Sequence, residues 1–388
     1  MEFAFTEEQL MIRDSAERFL AQASDSSAVR AAMCNCAGYD QALWQRIGKE
    51  LYWAALMVPE EHGGMGLGFV ELALLQEQCG RFLLGSPLFT TACLATPALL
   101  LADNPSLQST WLKTIAAGAT RATLAWGSGM DAEAVQVTAE TDAGDYLLNG
   151  TYAQVVDGAE ADLLIIAARV PGSQGEHGIS LFALPADTDG IVRSALPTLD
   201  QTRRLARLEL HGVRAADAQL LCSAGAGWPL LRDVLAIAAI ALAAEQTGGA
   251  QQVLDLTLTY VAERKQFNRP IASFQAIKHR CADMMLQVEC ARSAFWYAAC
   301  VAGQRLAVDG DTALASELFA AAATAKIHAS ETFFHCAAES IQLHGGVGFT
   351  WEYDPHLYFK RARAGEQWLG TPAWHAERLA AQLLEQRP

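Results

Sequence analysis

Residues 342–371 read QLHGGVGFTWEYDPHLYFKRARAGEQWLGT. The glycines at 345 and 346 leave backbone that a ligand can approach closely, as phosphate and ribityl groups require, although the same pair equally suits the end of a helix. A helical run through Arg361 follows, and the stretch closes on Trp368, Leu369, Gly370 and Thr371. Upstream, residues 263–284 read ERKQFNRPIASFQAIKHRCADM. Here Arg264, Phe267 and Gln275 fall at the end of one long helical stripe and the start of the next, around the turn Asn268-Arg269-Pro270. A guanidinium can fork onto a pyrophosphate, and a phenyl ring can cover an adenosine. Taken singly, an Arg offsetting a helix dipole and a Phe in the core explain these residues equally well.

Outward from these segments, apolar stripes run over 229–264, 273–304, 311–342 and 371–386. Long neighbouring helices with short connections predict a C-terminal four-helix bundle over 223–388. Before Trp228 the texture differs. Short β-rich runs such as ATLAW, AVQVTAET, DLLIIAAR, GISLFALP and ARLELHGV alternate with turns such as DAGD and PADTDG. They predict a small antiparallel sandwich or barrel over 121–222. Residues 1–120 read as helical again. Thr6 followed by Gln9 forms a capping box, and Leu10, Ile12, Ala16, Phe19 and Leu20 form the stripe behind it. Further helices are expected near 41–56, 69–84 and 106–117, broken by the Pro- and Gly-rich VPEEHGGMGLG at 58–68. The fold class is α+β and multidomain: helices, an antiparallel β-domain, then a helical bundle.

The composition bounds what this fold can do. A chain of 388 residues that is 52% hydrophobic can bury a substantial core. A net charge of −15 argues against nucleic acid, which calls for a basic face. Nine cysteines, none in a CxxC pair, suit free thiols in a reducing compartment better than a disulfide framework. His328, His335 and Cys336 are the nearest approach to a metal cluster, and helix packing explains them, so no metal is expected. The start MEFAFTEEQL is acidic and unlike a signal segment, and VLAIAAIALAA at 234–244 is too short to span a bilayer. A soluble, cytoplasmic protein with no membrane contact is expected.

Together, residues 263–284 and 342–371 resemble the C-terminal half of the acyl-CoA dehydrogenase family, flavoproteins that desaturate acyl-CoA thioesters. The 58–68 loop, followed by an acidic helix ending in EQCGR, resembles the family's first domain. The resemblance implies an FAD cofactor touched by Arg264, Phe267, Gln275, Gln342, Gly345 and Gly346, with Thr371 near it as well. In the family these residues hold the FAD of a neighbouring subunit. A homo-oligomer, dimer or tetramer, or a hetero-tetramer with a related subunit, is therefore implied, with an acyl-CoA as substrate.

Two features depart from the family pattern. Most members carry an aromatic residue, Glu, Gly and Thr at the places of residues 368–371, and that Glu is the base that removes the proton alpha to the thioester. The register from Gln342 runs without a gap and places Leu369 there. Members also carry a Thr-Glu-Pro loop and a later Trp-Ile-Thr in the sheet domain, against the flavin ring. This chain has AWGSGMDAEAV at the first place, and at the second Val156 stands where a Thr would donate.

Some relatives place the base on the first bundle helix, and the matching position is about Ala238, which is inert. Glu245 is the substitute base to test first, with Asp233 and Glu366 behind it. A carboxylate inside LAAEQTGG needs a partner or a use, and a hydrogen bond to a neighbouring helix would serve as the partner. Three readings follow. One is FAD-dependent α,β-desaturation of an acyl-CoA, with activity needing a partner chain. Another is a non-catalytic structural or acyl-CoA-binding subunit of a hetero-oligomer. The third keeps a flavin pocket for other chemistry.

Overall fold

Thr6 opens the first helix as its spacing predicts. Its hydroxyl accepts from the Gln9 N–H at 3.2 Å, and the Gln9 side chain accepts from the Thr6 N–H at 3.1 Å. The computed structural model describes residues 5–307 and 315–385. Residues 1–4 of the N-terminal reading, 311–314 at the start of one stripe, and 386 at the end of the last lie outside the described residues.

The order is helices, strands, helices. Helices α1 (Glu7–Ala23), α2 (Ser26–Cys34), α3 (Gln41–Lys49), α4 (Phe69–Arg81), α5 (Thr96–Leu100) and α6 (Pro105–Ala116) come first. Strands β1 (Ala122–Ala125), β2 (Thr138–Asp142), β3 (Asp145–Val156), β4 (Leu163–Arg169), β5 (Ile179–Pro185), β6 (Ile191–Leu196) and β7 (Leu205–Ala215) follow. After them come α7 (Trp228–Glu263), a small hairpin of β8 (Lys265–Gln266) and β9 (Arg269–Pro270), α8 (Gln275–Leu306), α9 (Ala315–His344), α10 (Pro355–Gln367) and α11 (Pro372–Glu385). Among the described residues no helix is long and apolar enough to cross a membrane.

The chain forms two compact units that do not follow its linear order. One gathers Met1–Ala31, Phe69–Leu84 and Ala239–Pro388, and the other gathers Ala32–Gly68 and Gly85–Ala238. In the first unit α4 lies against α7 backbone to backbone. A Cβ on Gly80 would meet the Glu245 carbonyl oxygen at 1.8 Å, and one on Gly248 would meet the Glu77 oxygen at 1.7 Å. Glycine at both positions is what lets α4, distant in sequence, pack there. The remaining directions are set by pairings along the helices. Thr257 bonds Ser340 at 2.8 Å and Ser330 bonds Gln246 at 3.1 Å, so α7 and α9 run the same way. Arg280 pairs with Glu339 and Tyr297 bonds Glu317, so α8 runs against α9.

The second unit holds a seven-stranded sheet in the order β1-β4-β2-β3-β7-β6, with β5 on the other edge of β4. Most pairings are antiparallel, but β1 and β2 each pair with β4 in parallel. Strand β4 is buried throughout, while β7 shows alternation that shifts phase. Ala206, Leu208 and Leu210 face the core, and so do Val213 and Ala215. The extra residue lies at a bulge between the Leu148 and Gly150 pairs, where Gly212 takes a φ of 62°.

Candidate active site

Six of the seven residues read as cofactor contacts come together at one end of the helical unit. The hairpin after α7 turns on Phe267 and Asn268, whose φ values of 52° and 60° make a tight left-handed turn. Phe267 stands at its tip, 87% exposed, with its ring 6.1 Å from that of Phe274. The Arg269 guanidinium lies 4.0 Å from the Phe274 ring centroid, which braces the hairpin against the start of α8 at Gln275. The opposite wall comes from the end of α9. The Tyr260 ring stacks on His344 at 4.2 Å, and its hydroxyl donates to the His344 carbonyl at 3.2 Å. That contact seats Gly345 and Gly346 beside the end of α7. Gly345 has a φ of 68°, and nothing lies within 4 Å of a Cβ added at either glycine.

This surface fits a dinucleotide. Arg264, Gln275 and Gln342 are exposed, and the glycine backbone is open to close approach. A phenyl ring this exposed gains from being covered, by a planar heterocycle or by another chain. The Arg264 guanidinium would take the pyrophosphate, and Gln275 and Gln342 would hold polar edges.

Thr371 is not part of that cluster. It sits in the turn between α10 and α11, near Lys326 of α9, whereas the glycines follow His344. Eighteen residues of α9 separate the two levels, about 27 Å at the helical rise. The residues read as cofactor contacts therefore lie at two well-separated levels of the same helix.

The turn around Leu369 is tightly held. Leu369 is 3% exposed and takes a left-handed φ of 57°, unusual for a side chain branched at Cγ. His375 donates from Nε2 to the Leu369 carbonyl at 2.8 Å. Burial pushes the His375 pKa down to about 4, so at neutral pH the ring is uncharged with its proton on Nε2. A Cβ on Gly370, whose φ is 85°, would lie 2.7 Å from that same nitrogen. The Thr371 hydroxyl accepts from the Trp374 N–H at 3.1 Å, capping α11. On the other side, Lys326 reaches the end of α10 and donates to the Gly365 carbonyl at 3.0 Å. The sequence reading missed Lys326 and His375. The signal for Lys326 was a lone cation in the alanine-rich run of α9.

The three carboxylates read as substitute bases all have partners. Glu245 accepts from Arg361 Nε at 3.0 Å, with both side chains almost sealed from solvent. Asp233 lies 3.3 Å from Arg232, and Glu366 pairs with Arg363. Ala238 is fully buried. Cys79 is packed near Glu245, and its thiol is pushed up mainly by burial and further by that carboxylate.

In the sheet unit, Val156 ends β3 with its side chain buried and its carbonyl accepting from the Thr123 hydroxyl at 2.8 Å. The segment after β1 folds back on itself. Trp126 Nε1 donates to the Gly129 carbonyl at 2.7 Å, and Gly127, at φ 136°, lets the Ala134 carbonyl approach.

Comparisons with known proteins identify the family. Residues 6–119 match the family model described as acyl-CoA dehydrogenase, N-terminal domain, and residues 225–384 match acyl-CoA dehydrogenase, C-terminal domain. The acyl-CoA dehydrogenase IpdE2 of Mycobacterium tuberculosis (strain ATCC 25618 / H37Rv) is 36% identical over 381 residues, covering 98% of each chain. Among solved structures, the ChsE4-ChsE5 complex from Mycobacterium tuberculosis superposes with a TM-score of 0.88 at 26% identity, with both chains fully covered. The steroid ACAD Tcur3481-Tcur3483 superposes at 0.84 with 30% identity over 98% of each chain. With matching models at both ends and a relative similar along nearly its whole length, this chain belongs to the acyl-CoA dehydrogenase family.

Proposed function

We propose that the chain is a flavin-binding subunit of an acyl-CoA dehydrogenase assembled from two kinds of chain, and that it takes part in α,β-desaturation of an acyl-CoA without supplying the alpha-proton base itself. The observation that carries this reading is the turn at Leu369: a buried aliphatic side chain occupies the base position, and Glu245, the first substitute, is locked to Arg361. Two of the solved structures with the same fold, ChsE4-ChsE5 and Tcur3481-Tcur3483, pair differently named chains, which supports a two-chain assembly.

Bound FAD would supply the hydride acceptor for the beta carbon. This chain's residues bind and orient. Arg264 would neutralise phosphate charge, Gly345 and Gly346 would admit the cofactor against backbone, and Phe267 would cover a ring. With the glycine cluster and the Thr371 turn about 27 Å apart, a cofactor in the family's arrangement would draw on both surfaces only across two chains. Exposed Phe267, Met285, Leu286, Phe349 and Trp351 provide apolar area for such an assembly, as a dimer or tetramer. Leu369 offers no proton acceptor where most relatives carry a carboxylate, so proton removal falls to the partner's site. The nine cysteines, all free, suit a reducing cytoplasm.

The non-catalytic alternative is favoured by Val156, whose side chain cannot donate to a flavin. Colour distinguishes the two. A yellow chain, purified alone as an oligomer, supports the flavin-binding reading. A colourless one that takes up no added FAD overturns it and leaves a structural subunit.

A further inference from the structure

Lys326 is wholly buried midway along α9, and its surroundings account for each of its protons. Its Nζ donates to the Ser330 hydroxyl at 2.9 Å, to the Gly365 carbonyl at 3.0 Å and to the Glu366 carbonyl at 3.3 Å. The Ser330 proton is directed elsewhere, to Gln246 Oε1 on α7 at 3.1 Å. Three acceptors therefore face Nζ, which matches an ammonium ion and not an amine. At the far end of this chain, Gln246 Nε2 is buried with no hydrogen-bond partner.

A second arrangement of the same atoms matches the neutral amine. If Nζ loses a proton, Ser330 can turn its own proton onto the nitrogen lone pair. Gln246 can then rotate its amide, so that the unpartnered Nε2 donates to Ser330 Oγ. Lys326 keeps two N–H bonds for the carbonyls of Gly365 and Glu366, but these are no longer charge-assisted and hold about half as strongly. We propose that Lys326 is the positioning residue of the 366–371 turn, and that the relay Lys326–Ser330–Gln246 makes its grip on that turn responsive to a proton. The role of the turn at a flavin rests on the function proposed above; the anchoring does not.

The charged surroundings suit titration near neutrality. Burial pushes Lys326 down to about 7, and Glu366 opposes that shift. Glu366 is itself paired with Arg363 on α10. From α11 the facing group is His375, held uncharged. From α7 it is Gln246, with neighbouring Glu245 bound to Arg361 of α10. The antiparallel pairing of α8 brings buried Val288, Ala291 and Phe295 to this level, and its Arg292 is bonded to Glu77 of α4.

The test is amide hydrogen exchange of the peptide spanning 363–374 in the full chain without added flavin, corrected for intrinsic rates, from pH 5.5 to about 9. The expected result is a roughly tenfold loss of protection as pH rises through neutrality, confined to this peptide, and its absence in Lys326→Met. Gln246→Met keeps the lysine and frees the Ser330 proton for the amine, so it should move the step to lower pH. It decides the matter should Lys326→Met not fold. Protection independent of pH in the parent chain, a step persisting in Lys326→Met, or one unmoved in Gln246→Met overturns the proposal. FAD titration, run separately, tests the flavin reading: a chain that shows the exchange step but binds no FAD retains the relay and loses only that reading.

Discussion

The guanidinium of Arg361 on α10 holds the carboxylate of Glu245 on α7 at 3.0 Å, with about one-twentieth of either side chain exposed. Breaking such a pair from one side strands a buried charge, which costs about 3–5 kcal/mol. Glu245→Gln should therefore lower folding stability by about that amount in urea unfolding, because it removes the carboxylate charge that faces buried Arg361. Unchanged stability with lost turnover would assign Glu245 to chemistry instead.

Arg264→Ala should weaken FAD binding by about 1–3 kcal/mol, the range for hydrogen bonds to a charged group. Fluorescence titration of FAD measures it. A variant that holds flavin as tightly as the parent removes Arg264 from the site.

The crossing of α4 and α7 is a separate target. Gly80→Ala places a methyl group 1.8 Å from the Glu245 carbonyl oxygen, against backbone that cannot swing away. A loss of about 1–3 kcal/mol or more is expected from the overpacking. A melting temperature equal to that of the parent would show that the helices separate without penalty.

His375 gives a pH dependence of known sign. Its folded pKa is depressed to about 4 from an ordinary 6.5, so the unfolded chain binds more protons between those values. The contribution of His375 is fully present above pH 6.5 and is lost as pH falls through 4. The stability difference between the parent and His375→Gln should shrink over that window. A difference constant with pH would mean that the ring is not held neutral.

Where local chemistry decides the outcome, the sequence was readable. Thr6 and Gln9 cap α1 because that box needs only residues three apart, and the 229–264 stripe became Trp228–Glu263. The hairpin at Asn268, the glycines after His344 and the aliphatic residue at 369 were legible as a set because they lie in two short segments. What pairs over long separations was not. Gly80 reads as an ordinary glycine until Glu245 is found against it, and nothing near residue 326 announces that its lysine reaches α10. Glu245 stood out because a carboxylate in an apolar run needs a partner or a use, and the structure gives it a partner. The sequence could not name that partner as Arg361, because the pair spans 116 positions.

The most direct measurement is anaerobic addition of an acyl-CoA to the purified, flavin-loaded chain, following the visible flavin band, beside the variant Leu369→Glu. The parent chain alone should leave the band unbleached, and the variant should gain partial bleaching. General-base catalysis is worth roughly 10²–10⁴-fold, so the difference should be plain. Bleaching of the parent at an ordinary rate, with no second kind of chain present, would contradict the account and require a base that Leu369 does not replace.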